Sequence, residues 1–81
     1  MPPWGKKIEG RITAYVNARL ELATLRAQLK AYPELAGRKV FLDDLNDAIV
    51  RAEQALMVLT GGQMAVAVQR IAEKSKDGPR G

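Results

Sequence analysis

Residues 12–33 read ITAYVNARLELATLRAQLKAYP, and the spacing within this stretch decides the fold class. Tyr15, Ala18, Leu22, Leu25, Leu29 and Tyr32 recur at intervals of 3, 4, 3, 4 and 3, with Ile12 one turn earlier and Ile8 in the same seven-residue series. Only a helix returns its side chains to one face at that interval. Arg19, Glu21, Arg26, Gln28 and Lys30 fall between the apolar positions, so the helix is amphipathic with a heptad seam. Pro33 lacks the amide proton that a further turn would need and disfavours helical geometry at Tyr32, which sets the predicted first helix at residues 7–31. Such a helix would be about 37 Å long, whereas a compact chain of this size has a radius of gyration of about 12 Å. An elongated hairpin, or an oligomer, fits that length better than a sphere.

Outward from this helix, residues 33–41 hold Gly37 and the pair Arg38-Lys39 and read as a connector anchored by Val40 and Phe41. Asp43 or Asp44 is the expected N-cap of a second helix over residues 43–60, whose seam is Leu45, Ile49, Ala52, Leu56 and Leu59, with Gly61-Gly62 as its stop. A shorter helix over residues 63–74 places Met64, Val68 and Ile71 on one face, between an N-terminal arm (residues 1–6) and a frayed tail (residues 75–81). The expected fold is therefore all-α, a small three-helix domain built on a long antiparallel helical hairpin. Charge supports the pairing: residues 1–32 carry six basic and two acidic side chains, residues 42–60 one basic and four acidic. Exposed pairs of this kind contribute only about 0 to 1 kcal/mol each, so the apolar seam must do most of the stabilising. On this reading Leu25→Asp and Leu56→Asp are each expected to unfold the chain.

The chain has 81 residues and neither Cys nor His, which excludes disulfide scaffolds, zinc fingers, cysteine nucleophiles and histidine bases together. Lack of cysteine is compatible with a reducing cytoplasm. The longest uncharged run, residues 54–69, is too short and too interrupted by Thr60, Gly61, Gly62 and Gln63 to cross a bilayer, so no membrane insertion is expected and the chain should be soluble. Asp43 and Asp47, four residues apart, share a helical face and offer two carboxylates to a hard cation, but acids near a helix start also serve its caps and dipole. Gly61-Gly62 lacks the Lys-Ser/Thr that a phosphate cradle requires. No catalytic residue, metal site or cofactor is expected.

Two further features bear on partners. Val16, Leu20, Ala23 and Ala27 form a second apolar strip on the first helix, and Val50, Met57 and Val58 another on the second. These strips cannot all face one seam, so part of this surface belongs to the third helix or to another chain. Trp4, in a Pro-Pro-Trp-Gly arm, either caps the bundle end or anchors a partner. Residues 56–71 also resemble a helix-turn-helix unit, with Val68 and Ile71 six and nine positions after Gly62. Val58 and Gln63 depart from that pattern, and Gln63, Gln69 and Arg70 are the only base-reading side chains of its last helix. With a net charge of +4, that resemblance implies DNA contact through Gln69 and Arg70, with Lys6, Lys7 and Arg11 available to phosphates. In length and pattern the chain is similar to small helical-hairpin secretion chaperones and to short phage assembly proteins. The leading expectation is a non-enzymatic module that contacts itself or another protein through its helices; the alternative is a DNA-associated accessory protein.

Overall fold

The computed structural model describes residues 5–76, and the chain there is all-α. Helix α1 spans Lys6–Ala31, a 3-10 turn spans Pro33–Gly37, α2 spans Lys39–Met57 and α3 spans Gly61–Lys76. The first helix closes where Pro33 forces it to: Tyr32 leaves the helical region at φ −131° and ψ 79°, its N–H donating to the Gln28 carbonyl at 2.8 Å. With extents of 45 × 31 × 17 Å and a radius of gyration of 14.3 Å, the molecule is longer than a sphere of its mass.

The hairpin is antiparallel. Arg51 of α2 meets Glu21 of α1 at 3.0 Å and Asp47 at 3.3 Å, while Tyr15, Leu22 and Arg26 of α1 line one groove with Ile49 and Leu56 of α2. Arg51 and Glu21 are about half exposed and Asp47 more so, so they fix register more than they stabilise. Between the helices Ala18 and Leu22 are buried from α1, and Phe41, Ala48 and Ala52 from α2. Leu25 and Leu29 are half-buried. The second helix thus presents Phe41, Leu45, Ala48, Ala52 and Ala55, a 4, 3, 4, 3 series that Leu59 continues in the turn after it and that is rotated part of the way round from the expected one. Alanines there let the helix axes approach while Tyr15 and Leu22 supply the bulk from the other side.

This rotation also moves the start of α2. Asp43 and Asp44 are not caps: the helix begins at Lys39 with Arg38 at its N-cap, and Leu42 N–H already donates to the Arg38 carbonyl at 3.0 Å. Burial of Phe41, worth about 2 kcal/mol, outweighs an aspartate cap worth about 1, so the turn forms ahead of the acids. Asp43 instead pairs with Lys39 at 3.1 Å on the surface.

The second helix ends at Met57 rather than 60, and the third begins at Gly61 rather than 63 and continues to Lys76 rather than 74. Neither Gly61 nor Gly62 has positive φ, and a Cβ at either would meet open space, so these glycines do not terminate α2. They are the first two residues of α3, whose start is set by Thr60. Thr60 Oγ1 accepts the Gln63 N–H at 3.3 Å and Gln63 Oε1 accepts the Thr60 N–H at 3.1 Å, a reciprocal capping box. Leu59 and Met64, flanking it, both pack on the same buried cluster and staple the turn. Thr60→Ala is expected to lower stability by about 1 kcal/mol, read as a lower urea midpoint at unchanged slope.

That cluster is the junction of the fold. Ile12, Tyr15 and Val16 of α1 and Ala67 of α3 are buried together, with Ile8, Leu20, Ala55, Leu59, Met64 and Ile71 packed around them. Both α2 and α3 pack on α1, and no comparable packing joins α2 to α3. On a helical wheel the α1 strip facing α2 (Ala18, Leu22) and the strip facing α3 (Val16, Leu20) lie roughly 150° apart, so α1 is the central element.

Candidate interaction surface

Because α3 has 16 residues and α1 has 26, α3 covers the α1 strip only in part. Val16, expected at a partner surface, is 2% exposed and belongs to the junction with Ala67. Leu20 is shared: it packs on that junction and also begins a groove of about 670 Å³ that runs along α1 past Ala23, Ala27 and Ala31 to Tyr32. Lys74 and Ser75 of α3 close one end of this groove, and Thr24 and Gln28 form its outer lip. Lys30 stands exposed on the neighbouring flank of α1, while Arg26 lines the hairpin side with Ile49 and Glu53. The second half of α1 therefore carries an apolar strip with no helix over it.

On the far side of the hairpin, α2 exposes Val50 and Met57, seven residues apart, with Met57 82% exposed. Asp43, Asp47 and Glu53 border this pair on the helix surface. Val58 is exposed in the turn that follows α2. Val50, Met57 and Val58 thus stand on the surface, as their surplus over the seam requires. Trp4 lies outside the described residues, as do residues 77–81.

The cationic residues are dispersed. Lys6 and Lys7 are exposed in the first turn of α1, Arg11 is half-buried, and Arg19 donates to the Tyr15 hydroxyl at 2.6 Å. Arg70 is committed within the fold: its guanidinium grips the Glu9 carboxylate with both terminal nitrogens, Nη2 at 3.2 Å from Oε1 and Nη1 on Oε2. That hydrogen bond raises the Arg70 pKa further above its ordinary value against the opposing effect of burial, with Coulombic attraction to Glu9 and Glu73 adding to it. The pair ties α3 to the first turn of α1 across 61 residues of sequence, and no local pattern announces it. Gln69 is exposed beside it.

A helix-turn-helix unit requires its two helices to pack against one another. In this chain α2 and α3 pack on α1 instead, and Val68, an inner position in such a unit, is half exposed. Among the described residues no cluster of three acidic side chains is placed to hold a metal ion, and no helix is long and apolar enough to cross a membrane.

Fold and surface together define a class: a small all-α domain in which a central helix carries two others and leaves part of its own apolar strip uncovered. No family model, curated protein or solved structure matches the chain.

Proposed function

We propose that this chain is a non-enzymatic interaction module that works through helix–helix contacts, as an assembly component, an adaptor or a small chaperone. The observation that carries this reading is the uncovered apolar strip from Leu20 to Tyr32, together with Val50 and Met57 on the outside of α2. Large contiguous apolar surface is rare on proteins that act alone, and a groove along one helix is the shape that receives another. A chemical role has little to work with, since the chain lacks Cys and His and Asp43 and Asp47 of α2 serve surface ion pairs.

The alternative is association with DNA, which rests on the net charge of +4 and on exposed Lys6 and Lys7. Arg70 is a poor reporter for it, because Arg70→Ala would also release α3 from Glu9. Light scattering behind size exclusion at low and high salt, with and without a generic DNA duplex, separates the two. The interaction reading expects a mass above 8.9 kDa, or capture of a protein partner, with elution unmoved by DNA. A chain that shifts onto DNA at low salt and leaves it steeply as salt rises would replace that reading with the nucleic-acid one.

A further inference from the structure

We infer that the chain forms a two-fold dimer by exchanging α3, the third helix of each copy seating on α1 of the other. This deepens the interaction reading above, on which it rests, by naming the partner as a second copy and the contact as one the fold already makes. Within one chain Ala67 enters between Ile12, Tyr15 and Val16, and Arg70 forks onto Glu9. An α3 from another copy finds the same partners on α1, so exchange keeps that packing intact.

The turn between α2 and α3 is able to straighten. Only Val58, Leu59 and Thr60 separate Met57 from Gly61, none of them a proline and none at positive φ. Val58 stands at φ −99° and ψ 5°, a modest rotation of each angle away from an α-helix. Straightening these three residues fuses α2 and α3 into one helix over residues 39–76, about 57 Å long. What opposes fusion is local. The Thr60 capping box exists only while α3 has a start of its own, and Gly61-Gly62 weaken any helix that runs through them. The closed turn itself does not require these glycines, since neither has positive φ and a Cβ at either meets open space.

Exposed side chains mark where the two copies meet. Leu56, Met57 and Val58 are three consecutive apolar residues on the surface, all at this turn. Four Cα steps span at most about 14 Å, so the end of α2 on one copy stays close to the start of the α3 it receives. The two straightened turns therefore pass side by side at the two-fold axis, bringing Leu56, Met57 and Val58 of both copies together. In the closed chain these residues face solvent; in the exchanged pair they shield one another, which offsets the lost caps and the glycines inside the fused helix.

Refolding from denaturant over a concentration series, read by sedimentation, tests this. The unaltered chain is expected to yield a two-copy species whose share rises with the concentration at refolding. Gly61→Pro is expected to abolish that species while keeping the helicity of the single chain. Proline suits the first position of α3, but inside a fused helix its ring meets the carbonyl four residues back. Thr60→Ala combined with Gly61→Ala and Gly62→Ala removes what opposes fusion and is expected to favour the dimer by at least about tenfold. Exchange itself is read from opposite charges. Glu9→Arg sets two cations together in a closed chain and Arg70→Glu two anions, and only an exchanged dimer holding one copy of each restores both pairs. The two variants refolded as an equimolar mixture are therefore expected to form several times more dimer than either does alone. A chain that refolds only at 8.9 kDa overturns the inference, as does a dimer that survives Gly61→Pro, one that the triple variant does not favour, or a mixture without the gain. The broader interaction reading falls by a different result, the salt-sensitive shift onto DNA.

Discussion

Replacing Ile12 with aspartate is expected to unfold the whole chain at room temperature. Ile12 is fully buried, the largest side chain among the described residues of which this is true, and it sits where both α2 and α3 meet α1. A domain of this length has about 4 to 12 kcal/mol of stability in all. Removing the side chain alone, as in Ile12→Ala, costs about 2 to 5 kcal/mol from lost burial and the remaining cavity. Aspartate adds the cost of placing a carboxylate inside an apolar cluster, which exceeds what remains. Circular dichroism should show loss of helix for Ile12→Asp and a lowered but cooperative melt for Ile12→Ala. Native helicity and melting in Ile12→Asp would mean that the junction is not the centre of the fold.

The second large effect comes from a smaller side chain. Ala48→Asp is expected to destabilise by about 3 kcal/mol or more, whereas Leu56→Asp should cost about 1 kcal/mol or less. Ala48 is 0% exposed between α1 and α2, and Leu56 is 40% exposed at the lip of the hairpin. The ordering reverses what size and hydrophobicity suggest, and it corrects the expectation that Leu56→Asp unfolds the chain. Denaturant melts of the two variants settle it: equal midpoints would restore the seam through Ile49 and Leu56.

That reversal explains which parts of the fold were legible beforehand. The first helix announces itself because its seam is made of large residues, Tyr15, Leu22, Leu25 and Leu29, and because Pro33 ends it sharply. In α2 the residues that reach the interface are Ala48, Ala52 and Ala55, and alanine carries almost no hydrophobic signal next to Ile49 and Leu56. The two series share Leu45, Ala52 and Leu59 and part where Ala48 and Ala55 take the places of Ile49 and Leu56. Phe41 then fell in a connector, although its burial is what draws the start of α2 back to Lys39. At α3 the signal was present but overshadowed: Thr60-Gly61-Gly62-Gln63 has the spacing of a capping box, and the glycines drew attention as a stop.

The surface was legible as a surplus and not as an address. Val16, Leu20, Ala23 and Ala27 are one strip in sequence, yet Val16 is consumed by α3 and Ala23 and Ala27 line the groove. What divides them is the length of α3 and where its last turn lies on α1, a tertiary fact with no local pattern. The same holds for Arg70, whose bond to Glu9 spans nearly the whole chain.

The separation of α2 from α3 reaches into how the molecule breathes. Each packs chiefly on α1, and they meet only where Ala55 and Leu59 share the junction with Ala67, so either can open over most of its length while the other stays docked. The backbone amides of α3, fastened by Ala67, Met64, Ile71 and the Arg70–Glu9 fork, would exchange with solvent deuterium through a local opening that leaves the hairpin closed. Amides in the first half of α1, clamped from both sides at Ile12 and Val16, exchange only when everything opens. The central helix thus keeps the slowest clock in the molecule, and its two companions keep faster ones.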